Sequence, residues 1–219
     1  MDLLVLLFNE FETLDAFGPV EVLGKLENIQ TIRFISIKGG TVTSSQQVPV
    51  VTTEVTSVKS EYILLVPGGA GVRYELNNPD LLNAIKRFSK DAKFILSVCT
   101  GSALLAKAGI LDEKEATTNK RLYDWVTQQG TRVKWIKKAR WVKADDIYTS
   151  SGVSAGIDMS LGFIADNFGI EKAEGIARTI EYVWNQSSGE DVFAGGSDSS
   201  KSILATGFSK SDSIPCALK

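Results

Sequence analysis

The chain has 219 residues, 43% hydrophobic and 23% charged, which is typical of a folded α/β domain with a sizeable core. Its formal net charge of −2 argues against a nucleic-acid-binding protein, and its apolar runs are far shorter than the roughly 20 residues of a membrane-spanning helix. The first apolar run lacks a basic leader and a small-residue cleavage site, so we expect a cytoplasmic protein.

Apolar runs and helical patterns alternate along the chain. In chain order they predict a strand at 3–8, a helix after Gly18-Pro19, a strand at 31–37, a hairpin within 41–51, a strand at 63–66, a helix at 79–90, a strand at 93–98, helices at 101–108 and 121–129, short strands at 132–136, 140–143 and 146–150, and helices at 154–168 and 171–184. Strands that alternate with helices pair in parallel. The sequence therefore predicts an α/β fold with a doubly wound, mostly parallel sheet and helices on both faces.

The pattern predicts one domain over residues 1–184. After Trp184 the sequence is rich in serine and glycine with little periodicity, which indicates a C-terminal extension over 185–219. Cys216 lies in this extension, and we interpret it as incidental.

A basic segment covers residues 120–143, which include eight lysine or arginine residues, one acid and three tryptophans. This segment is either a binding surface for an anionic partner or a solvated helix face followed by exposed strands. We favour the second interpretation.

Cys99 lies at the end of the predicted strand 93–98, directly before a helix of small residues. In open α/β sheets, ligands bind beyond the carboxyl ends of the strands, where N–H groups at helix starts face the same space. A thiol there is expected to have a pKa below its ordinary value of about 8.5. The turn S-V-C-T-G also resembles a nucleophile elbow, with Ser97 in place of the first glycine. Cys99 is therefore either a nucleophile or a buried apolar residue.

Two further segments are predicted at the same edge of the sheet. Residues 67–71, P-G-G-A-G, follow a buried strand and form either an oxyanion-type cradle of backbone N–H groups or a flexible turn. Asp15 follows the first strand in apolar company. It is either a proton donor with a raised pKa or a helix N-cap.

Four motifs in order resemble the ThiJ/PfpI superfamily, which is related to class I glutamine amidotransferases. They are LFNEFETLDAFGPVEVL, LLVPGGAGV, ILSVCTGSALLAKAGILDEKEATT and SSGVSAGIDMSLGFIADNFG. The S-V-C-T-G turn, the Asp of L-D-x-x-G-P and the A-G-I-D helix start look like the isonitrile hydratase branch. The resemblance implies a flavodoxin-like fold with a cysteine nucleophile elbow, a homodimer, a nucleophilic Cys99 and an acidic partner at Asp15.

The chain departs from the family pattern at two positions. Protease-like members carry histidine directly after the cysteine, where this chain has Thr100, and branch members often carry histidine after A-T-T, where it has Asn119. The chain contains no histidine. A Cys–His dyad is therefore excluded, which argues against peptidase activity and against glyoxalase activity that depends on histidine.

The leading hypothesis is a hydro-lyase that adds water to an isonitrile to give an N-substituted formamide. Cys99 attacks the terminal carbon, and Asp15 delivers a proton and then activates water. Thr100 holds the water, and the N–H groups of Gly69 and Thr100 stabilise developing charge. We assign the substrate contacts to Gly68, Gly69, Ala70, Gly71 and Gly152. This chemistry needs neither a metal nor a cofactor, and the two cysteines lack metal-ligand spacing, so we predict none.

Two other functions stay open. One is a glyoxalase or deglycase that uses the same cysteine, and the other is a non-catalytic domain that senses a ligand or oxidant, as in AraC-type regulators. The segment after Trp184 is too short for a paired helix-turn-helix. The expected partners are a small-molecule substrate and a second copy of the chain, with no nucleic acid and no membrane.

Overall fold

The computed structural model describes residues 1–54, 58 and 60–195. The strands are β1 (Asp2–Leu6), β2 (Thr31–Ser36), β3 (Gly40–Thr43), β4 (Pro49–Glu54), β5 (Tyr62–Val66), β6 (Phe94–Ser97), β7 (Glu115–Ala116), β8 (Lys134–Trp135), β9 (Trp141–Ala144) and β10 (Ile147–Ser150). The helices are α1 (Thr13–Leu23), α2 (Val72–Glu75), α3 (Pro79–Asp91), α4 (Gly101–Lys107), α5 (Tyr123–Thr127), α6 (Ala155–Phe168) and α7 (Ile170–Thr179). None of the helices in the described part of the chain has the length and apolar character needed to cross a membrane.

The main sheet has the strand order β3-β4-β2-β1-β5-β6-β10-β9. Its inner pairs, from β4 to β10, are parallel, and the strands at its two edges, β3 and β9, run antiparallel to their neighbours. The parallel strands β2-β1-β5-β6-β10 have the flavodoxin-like order. The predicted α/β fold with a mostly parallel sheet is therefore confirmed.

The centre of the sheet explains why its strands are continuous apolar runs. Every residue of β1 and β5 is buried, because a central parallel strand is covered on both faces. Two groups of helices pack around the sheet, α1 with α6 and α7, and α2 and α3 with α4. The carboxyl ends of β1, β5, β6 and β10 meet at one edge.

The first helix differs from the prediction. It begins at Thr13, and Pro19 lies inside it, so the expected start after Gly18-Pro19 is wrong. Proline favours the first turn of a helix, but here it removes only the hydrogen bond to the carbonyl four residues earlier, that of Asp15. The earlier start places Asp15 in the first turn of α1.

The last helix is shorter than predicted. It ends at Thr179, and Glu181 has a left-handed backbone with φ of 52°. The chain then returns over the domain, where the Ser188 carbonyl accepts the N–H groups of Arg140 and Trp141 at the edge strand β9. The division at residue 184 stays a prediction, and residues 196–219, with Cys216, lie outside the described residues.

Part of the basic segment is buried instead of solvated. The guanidinium of Arg140 is 10% exposed and binds Oδ2 of the fully buried Asp158 at 2.6 Å. Six of its eight cations are exposed, as the solvated-face interpretation expects, among them Lys143 in its ion pair with Asp166. The interpretation of this segment as a solvated face is therefore wrong for Arg140, which is an internal structural group.

Gly156 on α6 provides a test of how tightly the sheet edge is packed. A Cβ at Gly156 would lie 2.9 Å from both γ carbons of Val98, the residue before Cys99. We expect Gly156→Ala to lower the free energy of unfolding by about 1–3 kcal/mol in urea denaturation, because the core must shift. The matched control is Gly175→Ala on α7, where the nearest atom is 3.9 Å away. That change should stabilise the protein by roughly 0.5–1 kcal/mol. Equal effects of the two substitutions would contradict the tight packing.

Candidate active site

Cys99 lies between the end of β6 and the start of α4, in a left-handed backbone conformation with φ of 57°. Both of its backbone groups are held. Its N–H donates to the Ser151 carbonyl at 3.0 Å, and its carbonyl accepts hydrogen bonds from the hydroxyls of Ser102 at 3.1 Å and Thr118 at 2.9 Å. A side chain in this conformation is uncommon and is a frequent feature of functional turns.

The sulfur of Cys99 is enclosed, with 5% of the residue exposed. The amide Nδ2 of Asn119 donates to Sγ at 3.1 Å, and the backbone N–H groups of Thr100 and Val153 also face the sulfur. Three neutral donors therefore surround the atom that would carry negative charge as a thiolate.

Asp15 is completely buried beside Cys99. Its Oδ2 accepts the Gly68 N–H at 2.9 Å, and its Oδ1 is buried without a hydrogen-bond partner among the described residues. The N-cap of α1 is Glu12, so the interpretation of Asp15 as the helix N-cap is wrong. Its free oxygen is available to carry a proton.

Burial dominates the acidity of both groups. It raises the pKa of Asp15 well above its ordinary value, against the opposing effect of the Gly68 N–H. Burial, followed by the charge of Asp15, also raises the pKa of the Cys99 thiol, and the three donors only reduce this effect. The expected lowering of the thiol pKa is therefore wrong, because α4 has only seven residues and the sulfur is desolvated.

The glycine turn touches the start of α4. A Cβ at Gly68 would lie 2.5 Å from Thr100 Oγ1, so only glycine allows this approach. The N–H of Gly69 donates to the same hydroxyl at 3.1 Å. Because the N–H groups of Gly68 and Gly69 are already bound to Asp15 and Thr100, they do not form the open cradle expected from the sequence. The Thr100 N–H is the member of the predicted Gly69–Thr100 pair that faces the sulfur.

The remaining predicted contacts have different surroundings. Ala70 is exposed, whereas Gly71 is buried and donates to the Glu10 carbonyl at 3.0 Å. Gly152 lies next to Asn119, and a Cβ there would be 3.1 Å from Nδ2. The structure thus brings Gly152 to the Cys99 site and uses Gly71 within the turn.

Asn119 is the contact that we did not predict as part of the site. The sequence marks it only as a position where related chains have histidine. Its place beside Cys99 depends on β7 and β8, which form a separate two-stranded sheet, and β7 was not predicted. The available signal was the resemblance, in which branch members often carry histidine after A-T-T. Within the described ranges, no group of three or more Cys, Asp or Glu side chains is placed to hold a metal ion.

Residues 1–166 match the family model described as the DJ-1/PfpI family. The chain belongs to the DJ-1/PfpI family. The resemblance that the four sequence motifs indicate is therefore confirmed.

Two relatives of this DJ-1/PfpI protein have different names. It is 33% identical over 180 residues to an isonitrile hydratase of Pseudomonas putida, covering 81% of this chain and 76% of that protein. It is 27% identical over 165 residues to a deglycase of Pyrococcus horikoshii, covering 74% and 93% of the two chains. Among solved structures, a ThiJ/PfpI family protein from Pseudomonas syringae superposes with a TM-score of 0.75 at 26% identity, over 84% of this chain and 76% of that one.

The buried Asp15 carboxyl predicts a pH-dependent cost to stability. In the unfolded chain it ionises near pH 4, whereas in the fold burial raises its pKa. Asp15 is protonated in both states below about pH 4, where the folded state bears no penalty from it. As pH rises toward the native pKa, the unfolded state alone ionises, so the free energy of unfolding falls. We expect Asp15→Asn to become more stable relative to the wild type between about pH 4.5 and about pH 8 in urea unfolding.

The control for this measurement is Asp80→Asn, which removes an exposed carboxyl and so reports the loss of charge alone. If the difference between wild type and Asp15→Asn is the same at both pH values, Asp15 ionises in the fold as it does in the unfolded chain.

Proposed function

We propose that this DJ-1/PfpI protein hydrates an isonitrile to an N-substituted formamide, with Cys99 as nucleophile and Asp15 as acid and base. The observation that carries the proposal is the burial of one thiol beside one carboxyl, whose pKa burial raises, in a chain without histidine. The relative named isonitrile hydratase supports the same assignment. A small-molecule substrate and a homodimer remain part of the proposal.

The shape of the functional group suits the enclosed sulfur. An isonitrile, R–N≡C, is linear, and its electrophilic carbon is the terminal atom. A narrow rod of this kind suits a sulfur in a residue that is only 5% exposed.

In the first step, the sulfur of Cys99 bonds to the terminal carbon, and Asp15 gives that same carbon a proton. The thiol proton passes to Asp15, so the carboxyl is restored. The carbon lone pair forms the C–H bond, a sulfur electron pair forms the C–S bond, and one N–C π pair becomes a lone pair on nitrogen. The product is a thioimidate, R–N=CH–S, still bonded to Cys99.

In the second step, water adds to the thioimidate carbon. The Asp15 carboxyl gives its proton to nitrogen and, now a carboxylate, removes a proton from the water, which restores the carboxyl; the Thr100 hydroxyl, next to Gly68 and Gly69, holds the water oxygen. The tetrahedral adduct then releases the sulfur as its hydroxyl becomes the carbonyl; the hydroxyl proton passes to the sulfur, and the formamide R–NH–CHO leaves. The N–H of Thr100 stabilises charge on the departing sulfur.

The wild-type protein should convert an alkyl isonitrile to the N-alkyl formamide, which proton NMR detects by its formyl hydrogen. Cys99→Ala should lower kcat by at least about a thousandfold, because the covalent route is lost. Turnover that survives in Cys99→Ala would overturn the role of Cys99. Methylglyoxal turnover by a wild-type protein that leaves isonitriles unchanged would instead favour the glyoxalase alternative.

Thr100→Val tests the water-holding hydroxyl with almost no change in shape. We expect kcat to fall about tenfold to a hundredfold with little change in KM, because the hydroxyl acts on water and not on the substrate. Thr179→Val on the exposed end of α7, where the hydroxyl binds the Gly175 carbonyl, is the matched control and should leave kcat unchanged. A Thr100→Val protein with the wild-type kcat would remove Thr100 from the mechanism.

A further inference from the structure

The amide of Asn119 has a fixed orientation at the Cys99 sulfur. Its Oδ1 accepts the Leu122 N–H at 3.1 Å, so the other side of the amide must be the NH₂ group. That group donates to Sγ at 3.1 Å. The hydrogen-bond network therefore presents a donor to the sulfur and excludes the flipped amide.

Lys120, the next residue, holds the segment that carries Asn119. Its ammonium donates to the Thr117 hydroxyl at 2.7 Å, to the Ala139 carbonyl at 2.6 Å and to the Thr118 carbonyl at 3.3 Å. All three ammonium hydrogens have an acceptor. Lys120 thus joins the segment 117–119 to the chain before β9.

The surroundings of Lys120 disfavour its charged form. Asp191 attracts the ammonium, whereas Arg140 and Lys137 repel it, and burial lowers the pKa of Lys120 to about 8. Burying a cation costs free energy unless hydrogen bonds compensate for its lost hydration. These bonds are made to the turn that positions Asn119.

We propose that Asn119 is a catalytic residue that stabilises the Cys99 thiolate through its amide, and that Lys120 is the positioning residue that keeps the amide in place. The inference rests on the proposed function only in treating Cys99 as the nucleophile. It assigns the contact that stabilises the thiolate to an amide, which does not titrate.

The test is the rate at which iodoacetamide alkylates Cys99, measured from about pH 6 to about pH 10 by mass spectrometry of the Cys99 peptide in the full chain. The charged and titratable groups that act on this thiol and on Lys120 are Asp15, Asp191, Arg140 and Lys137. Asn119→Ala should slow alkylation at neutral pH about tenfold or more, because a hydrogen bond to a charged sulfur is lost. Asn119→Asp keeps the shape but replaces the donor with a charged acceptor, and should slow it further.

Lys120→Met separates positioning from general packing. It should slow alkylation about threefold to tenfold in the wild-type background and by less than about twofold in Asn119→Ala, because its effect passes through Asn119. Lys93→Met, which breaks the exposed ion pair with Glu61, is the control and should leave the alkylation rate unchanged in both backgrounds. Far-UV circular dichroism confirms that each variant is folded.

Unchanged alkylation in both Asn119 variants would overturn the role of Asn119. Additive effects in the double variant would overturn the positioning role of Lys120. Alkylation needs no isonitrile, so the two proposals fail separately. A protein with the predicted alkylation pattern but no formamide product would retain this inference and lose the proposed function.

Discussion

The left-handed backbone at Cys99 is the constraint on which the rest of the site depends. A non-glycine residue in this conformation costs roughly 1–2 kcal/mol. Hydrogen bonds from three different segments offset that cost, since Ser151 follows β10, Ser102 lies on α4 and Thr118 follows β7. The sulfur therefore has one position relative to Asp15, and the strands and helices around it are fixed by the same contacts.

Close packing of two strand ends adds a second constraint. A Cβ at Gly101 would lie 2.4 Å from the Val66 carbonyl, and one at Gly68 would meet Thr100, so the turn after β5 and the start of α4 touch through their backbones. This contact encloses Asp15, whose Oδ2 accepts the Gly68 N–H. The glycines thus control the acidity of the site by excluding solvent, a larger effect than the helix dipole that the sequence suggested.

The sequence was most informative where periodicity and topology act together. The apolar runs at β1 and β5 predict central parallel strands, and parallel strands bring their carboxyl ends to one edge, so Cys99, Asp15 and the glycine turn were expected to meet. The predicted start of α1 was wrong, because the preference of proline for the first turn of a helix does not exclude Pro19 from the helix interior. The thiol pKa and the Asn119 contact were beyond sequence reasoning, because both depend on burial and on the short β7–β8 pair.

The electrostatics of the site connect its structure to the choice of substrate. The groups that act on the Cys99 thiol are one acid, Asp15, and three neutral N–H donors, with no cation among them. Burial and the charge of Asp15 therefore disfavour a free thiolate before the substrate arrives, and the three donors oppose this effect. An isonitrile avoids this difficulty, because its terminal carbon accepts both the sulfur and the proton. In the proposed reaction, the thiol proton would move through Asp15 to the same atom that the sulfur attacks, so no long-lived buried anion would form. A carbonyl substrate places the charge on oxygen instead, away from the carbon under attack, and the N–H groups of Gly68 and Gly69 that would receive that charge are already bound to Asp15 and Thr100.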